Sequence, residues 1–219
     1  TEITLNNDLL KKTVEYIRSM KGREKIGMLT AYDYSTAKYM DEAGIDIILV
    51  GDSLGMVVLG YENTLSVTTE DMIRHTGAVS RGASNALIVT DLPSGSYDDC
   101  ASAAVHAEAL IDSGADTVKL ENAPEIAKHL VDKKIPVLGH VGLTPQSVTD
   151  FKVQGREEEA AKAIVQMAKD LESAGCYCVV LEAVPFALGK KITETLRIPT
   201  IGIDAGSYCD GQVLVVNDM

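Results

Sequence analysis

Eight short runs of aliphatic and β-branched residues recur along the chain, and most are separated by a stretch of helical periodicity. The runs are residues 26–31 (IGMLTA), 46–51 (DIILVG), 86–91 (ALIVTD), 116–121 (DTVKLE), 135–140 (IPVLGH), 177–183 (YCVVLEA), 199–204 (PTIGID) and 212–216 (QVLVV). Helical patterns fall at 33–43, 69–82, 98–113, 124–133, 156–174 and 186–196. Apolar runs with little polar alternation suit strands buried on both faces, as in a parallel sheet. Strands alternating with helices predict an α/β fold, and the count of eight favours a closed (β/α)8 TIM barrel over an open doubly wound sheet.

The punctuation agrees. Gly44, Gly82, Gly114 and Gly175 stand where helices should stop, and Pro136 and Pro199 stand at strand starts, where a missing N–H is tolerated. Leu5 to Met20 reads as an extra amphipathic helix before the first strand. No linker or low-complexity tract interrupts the chain, so residues 1–219 are expected to form one domain. Gly55–Ser66 is a long connection after the second strand, and Asp150–Arg156 is a polar one after the fifth. No helical pattern follows the eighth strand, so the last helix of the barrel is expected to be missing from this chain.

Of the 219 residues 46% are hydrophobic, with no Trp and two Phe, so the core should be aliphatic. The formal net charge of −12 argues against nucleic acid or an anionic membrane surface as partner, because both repel an acidic protein. A small anionic ligand needs only local positive charge and stays admissible. No apolar run approaches the ~20 residues that span a bilayer. The first residues lack the apolar core of a signal peptide, which predicts a cytoplasmic protein. Of the four cysteines none forms a C-x-x-C pair. Cys176 and Cys178, at strand spacing, read as buried small apolar residues.

The polar residues at strand ends carry the chemistry. In this fold active sites lie at the C-terminal ends of the strands. The second strand runs into Asp52 and Ser53, the third ends in Asp91, the fourth carries Lys119 and Glu121, the fifth ends near His140, the sixth in Glu182 and the seventh in Asp204. Side chains alternate across a strand. With Val118 and Leu120 facing the helices, Lys119 and Glu121 point into the barrel. Charged groups converging there are costly unless paired or metal-bound. Asp52, Asp91 and Glu121 together suggest a hard cation such as Mg²⁺, with Lys119 meeting a substrate carboxylate and Glu182 as candidate base. Plainer readings exist for each residue alone. An Asp at a strand end caps a helix or sits in a loop, Lys119 and Glu121 form a structural ion pair, and Glu182 caps the helix after Pro185. His140 is equally a supporting or a catalytic histidine. His75, His106 and His129 fall on helices and read as packing or surface residues. The glycines of 202–206 are a weak signal for an anion site.

At these residues the chain resembles the ketopantoate hydroxymethyltransferase family. The matching stretches are TAYDYSTAK (30–38), LVGDSLGMVVLG (49–60), VTDLPSGSY (89–97), VKLEN (118–122), GHVGLTPQSV (139–148), KVQGR (152–156), LEAVP (181–185) and IGIDAG (201–206). The resemblance implies a (β/α)8 barrel enzyme that passes a one-carbon unit from 5,10-methylenetetrahydrofolate to 3-methyl-2-oxobutanoate, giving 2-dehydropantoate for pantothenate biosynthesis through a Mg-stabilised enolate. It implies Asp52, Asp91 and Glu121 around Mg²⁺, Asp52, Ser53, Asp91 and Lys119 at the keto acid, and Glu182 as catalytic base. It also implies a homo-oligomer, a decamer in this family. Three departures stand out. TDFKVQGR is shorter than the family's glycine-rich segment, VKLEN replaces VKIEG at Asn122, and Asp204 replaces a usual glycine. Rival readings are a Schiff-base aldolase using Lys119, a phosphoenolpyruvate mutase or isocitrate lyase type enzyme, and a non-catalytic barrel.

Overall fold

The computed structural model describes residues 11–147 and 152–219. The first part of the expected N-terminal helix and most of the shortened segment before Val153 lie outside these residues. Eight parallel strands close into a barrel in chain order. They are β1 (Ile26–Thr30), β2 (Ile47–Val50), β3 (Leu87–Asp91), β4 (Thr117–Glu121), β5 (Val137–Gly142), β6 (Cys178–Glu182), β7 (Thr200–Ile203) and β8 (Gly211–Leu214). The helices are α1 (Val14–Ser19), α2 (Tyr34–Glu42), α3 (Leu54–Val57), α4 (Thr69–Gly82), α5 (Cys100–Asp112), α6 (Pro124–Asp132), α7 (Glu158–Ala174) and α8 (Phe186–Thr195). The (β/α)8 expectation holds. After β8 the chain makes one 3₁₀ turn, Val216–Asp218, and Leu214 on β8 is left half-exposed.

Short polar signals set the helix boundaries. The Asp33 carboxylate accepts the N–H groups of Ser35 and Thr36, so α2 begins at Tyr34. Thr68 with Asp71, and Asp99 with Ser102, form reciprocal capping boxes that start α4 and α5. For this reason α5 begins at Cys100, two residues later than its apolar pattern suggests. Gly44, Gly114 and Gly175 follow their helices at φ 84°, 114° and 99°, the left-handed stop expected of them. Gly82 does not. It is the last residue of α4 itself, and a Cβ there would lie 2.4 Å from the Tyr34 carbonyl oxygen of α2. Close helix–helix approach, not helix termination, accounts for this glycine. The long connection after β2 also differs from expectation, because it opens with the single-turn helix α3.

Two apolar layers hold the barrel together. Outside the sheet, Ile48, Val50, Ile88, Val118, Leu120, Val179 and Leu181 pack against the helices. Inside it, Met28, Ile47, Leu49, Leu87, Val89, Leu138, Val180, Ile201 and Val213 fill the barrel. Ile17 and Met20, from α1 and its C-terminus, join this inner cluster and plug the N-terminal mouth. Cys178 faces inward and Cys176 faces the helices; both are buried free thiols, as the apolar reading requires. Around the N-terminal end three carboxylates accept strand N–H groups: Asp46 that of Gly27 at 2.9 Å, Asp116 that of Ile88 at 2.8 Å and Asp210 that of Thr200 at 2.9 Å. Charge at this end is therefore structural. Among the described residues no helix is long and apolar enough to cross a membrane.

Candidate active site

Alternation along each strand stacks apolar residues in the barrel's lower layers and polar ones at its C-terminal mouth. Strand register brings the polar ones side by side: Asp91 lies opposite Lys119, and Glu121 opposite His140. They open into a cavity of about 310 Å³, lined also by Asp52, Ser53 and Glu182. All six predicted site residues, Asp52, Ser53, Asp91, Lys119, Glu121 and Glu182, thus face one space, with His140 between them. Asp204 does not join them; it is exposed, outside the cavity lining.

Asp52 does sit in the loop between β2 and α3, but the capping readings and the Lys119–Glu121 ion pair fail on geometry. The N-cap of α3 is Ser53, that of α8 is Pro185, and neither helix has a side-chain cap. Asp52 and Glu182 are therefore not capping. Lys119 pairs with Asp91 on the next strand at 2.8 Å, not with Glu121 on its own. Asp91 Oδ2 also accepts the backbone N–H of Asp52 at 3.1 Å, which ties the ends of β2 and β3 together. The Ser53 hydroxyl lies 2.8 Å from that of Tyr32.

Electrostatics distinguish the groups. Burial most of all, and then the neighbouring Asp91 charge, push the Asp52 carboxyl up to about 7. Burial opposes the charge on Lys119, but Asp91, Glu121 and Asp52 outweigh it and raise the ammonium well above its ordinary value. His140 is buried, with Nδ1 3.4 Å from Glu121 Oε1 and Nε2 3.3 Å from Glu182 Oε2. Burial again opposes charge, yet the two flanking carboxylates lift its pKa to about 9. Glu121 is driven the other way: burial raises it, but His140, Lys119 and the Gln146 N–H hold it below the ordinary carboxylate range.

Three contributors escaped the sequence reading. Gln146 Nε2 donates to Asp52 Oδ2 at 2.7 Å, and its backbone N–H donates to Glu121 Oε2 at 3.2 Å. Tyr97 donates its hydroxyl to Gln146 Oε1, and Tyr32 holds Ser53. All three sit in loops that follow strands, where no periodicity marks them. Their only signal was membership of the stretches TAYDYSTAK, VTDLPSGSY and GHVGLTPQSV. His75 and His106 serve structure, each donating from Nδ1 to a backbone carbonyl, that of Tyr32 at 2.6 Å and that of Ser96 at 2.7 Å, respectively.

Among the described residues no group of three or more His, Cys, Asp and Glu is arranged to hold a metal ion by itself. The Glu121 oxygens face other groups: Oε1 lies 3.4 Å from His140 Nδ1, and Oε2 accepts the Gln146 N–H. Asp52 and Asp91 still suit a hard cation that keeps most of its shell for water and substrate. Five carboxylates line this space, Asp52, Asp91, Glu121, Glu182 and Asp218, against two basic side chains, Lys119 and His140. The lining is therefore acidic on balance, and the Asp91 charge adds to burial in raising the Asp52 pKa. A divalent ion beside Asp52 and Asp91 would offset that charge.

A parallel barrel with a charged cavity at its C-terminal mouth defines an enzyme of the (β/α)8 class. The fold is shared with solved structures at low identity. The phosphoenolpyruvate phosphomutase of Streptomyces platensis subsp. rosaceus superposes with a TM-score of 0.71 at 10% identity, over 93% of this chain and 80% of that one. A 2,3-dimethylmalate lyase of the PEP mutase/isocitrate lyase superfamily gives 0.71 at 13%, over 94% and 81%. Sequence places the chain more closely. Residues 11–219 match the family model for ketopantoate hydroxymethyltransferase. The 3-methyl-2-oxobutanoate hydroxymethyltransferase of Clostridium botulinum (strain 657 / Type Ba4) is 55% identical over 96% of this chain and 80% of its own length. That of Syntrophus aciditrophicus (strain SB) is 56% identical over 95% and 80%. The chain belongs to the ketopantoate hydroxymethyltransferase family and is a hydroxymethyltransferase.

Proposed function

We propose that this enzyme transfers a one-carbon unit from 5,10-methylenetetrahydrofolate to 3-methyl-2-oxobutanoate, forming 2-dehydropantoate for pantothenate biosynthesis, with Mg²⁺ at Asp52 and Asp91. The observation that supports it best is the acidic cavity that contains Lys119 and, on a different strand from Asp91, the carboxylate of Glu182. Bound Mg²⁺ supplies a Lewis acid that acidifies the C3 proton of a 2-oxo acid and stabilises its enolate. Asp52 and Asp91 would hold the ion, with Glu121 beside them in the same cavity.

The chain's own residues do the rest. Lys119, kept protonated by three carboxylates, binds the keto acid's carboxylate as a cation. The same protonation disfavours a Schiff base, because only the neutral amine attacks a carbonyl. Ser53, oriented by Tyr32, donates a hydrogen bond to the keto acid. Glu182 removes the C3 proton, and the charge of His140, whose Nε2 lies 3.3 Å from Glu182 Oε2, holds the carboxylate in place. The carbanion then forms a carbon–carbon bond to the methylene carbon carried by the folate; water supplies the hydroxyl oxygen, and the bond from that carbon to the folate nitrogen breaks, releasing tetrahydrofolate. Four free thiols agree with a reducing, cytoplasmic location. Half-exposed Met56, Val58, Tyr61 and Leu65 beside the mouth agree with a homo-oligomer.

Glu182→Gln tests the chemistry directly. The variant should bind the keto acid as the wild type does while exchange of the C3 proton with solvent falls by 10²-fold or more, read by NMR in D₂O. Undiminished exchange removes Glu182 from the base role. Absence of folate-dependent product in the wild-type enzyme overturns the reaction itself.

A further inference from the structure

Both ends of the Gln146 side-chain amide are hydrogen-bonded. Nε2 donates to Asp52 Oδ2 at 2.7 Å and to the Leu92 carbonyl at 2.9 Å, Oε1 accepts from the Tyr97 hydroxyl, and the backbone N–H reaches Glu121 Oε2 at 3.2 Å. Those partners follow β2, β3 and β4 in turn. The network fixes which end of the amide is which. Turned over, Oε1 would face a carboxylate and a carbonyl, and Nε2 would face a hydroxyl that already has the Glu121 N–H pointing at it. A neutral amide also grips Asp52 without cancelling its charge.

We propose that Gln146 is a positioning residue for divalent-cation binding: it holds Asp52 by one carboxylate oxygen, leaving the other aimed into the cavity, and locks Asp52 and Glu121 at a fixed spacing. This rests on the reading that Asp52 and Asp91 hold the cation. Support from behind a ligand matters because a carboxylate free to rotate loses part of its binding energy to ordering, and such partners typically contribute 10- to 100-fold in metal affinity. The Tyr97 hydroxyl acts one step further back, by setting the amide.

The test is Mn²⁺ binding to the full chain without either substrate, followed by electron paramagnetic resonance and calorimetry. Gln146→Met keeps the length of the side chain and removes all three of its hydrogen bonds. It should bind Mn²⁺ 10- to 100-fold more weakly than the wild type. Tyr97→Phe should weaken binding in the same direction by less than tenfold. Asp41→Asn, remote from the cavity, serves as control: it should lower the melting temperature and leave Mn²⁺ affinity unchanged. Wild-type affinity in a folded Gln146→Met protein overturns the proposal, and if that variant does not fold, wild-type affinity in Tyr97→Phe does so. Failure of the wild-type chain itself to bind Mn²⁺ overturns the cation site, and the role of Gln146 with it.

Discussion

Single residues in this barrel are read most clearly where backbone and side chain constrain each other. Asn122, Ala183 and Asp204 immediately follow β4, β6 and β7, and all three have left-handed φ values, 49°, 47° and 51°. Asn122 and Asp204 are the two positions at which the family resemblance implied a glycine. After glycine, Asn and Asp are the residues that tolerate this conformation best, so both are compatible with the backbone they occupy. Nothing in a linear reading shows a φ angle, which is why those substitutions looked arbitrary. Asp41 makes a testable case. Its carboxylate accepts the N–H groups of Ser84, Asn85 and Ala86, at 3.1, 3.0 and 2.7 Å, and so ties α2 to the loop before β3. Burial works against the charge, but the three N–H donors outweigh it and hold the pKa below the ordinary value. A depressed pKa means stability that is present above the unfolded value near 4 and lost as pH falls through the folded one. Asp41→Asn should therefore cost about 2 kcal/mol at pH 7 in urea unfolding, and the difference from wild type should shrink below about pH 4. A pH-independent difference would show that charge is not what the loop recognises.

At the scale of elements, the eight strands were legible because each is a short apolar run, and the helices because their periodicity is long. What the pattern missed has physical causes. The helix α3 has four residues, too few for a period to register. Gly82 looked like a stop signal because glycine serves both as a helix terminator and as a contact surface, and only the packed neighbour decides. Here the two uses predict opposite outcomes for Gly82→Ala. As a helix residue, alanine is favoured by about 1 kcal/mol. As a contact, its Cβ would sit 2.4 Å from the Tyr34 carbonyl oxygen, 3.1 Å from Ala37 Cβ and 3.2 Å from the Lys38 nitrogen. Backbone of α2 cannot swing aside as a side-chain tip would, and overpacking costs about 1–3 kcal/mol. The contact is with backbone, which puts the clash toward the upper end of that range, so it should win, giving a net loss of up to about 2 kcal/mol in chemical denaturation. A stabilised Gly82→Ala protein would mean that α2 and α4 slide apart at little cost.

For the molecule as a whole, the barrel divides labour between its ends. Carboxylates at the N-terminal end, Asp46, Asp116 and Asp210, accept strand N–H groups and pair with Lys12, Lys11 and Lys21 at 2.9, 2.7 and 2.8 Å. Those at the C-terminal end line the cavity and are left with a charge surplus. Sequence position alone separates the two sets, since each precedes or ends a strand, and that made the site residues legible before their loop partners. The division predicts that stability and chemistry can be altered independently. Ile17 of α1 is fully buried in the inner cluster with Met28, Ile47 and Tyr177, at the mouth opposite the cavity. Ile17→Ala leaves a void that the closed sheet cannot collapse around, and should cost about 2–5 kcal/mol in urea unfolding. The layers of Leu49, Val89, Leu138 and Val180 separate it from the polar residues above, so C3 proton exchange at 25 °C, under conditions where the variant stays folded, should remain within about twofold of wild type. A large fall in exchange with the fold intact would show that the plug transmits strain along the strands to Asp91, Lys119 and Glu121, and that the barrel's two ends are coupled.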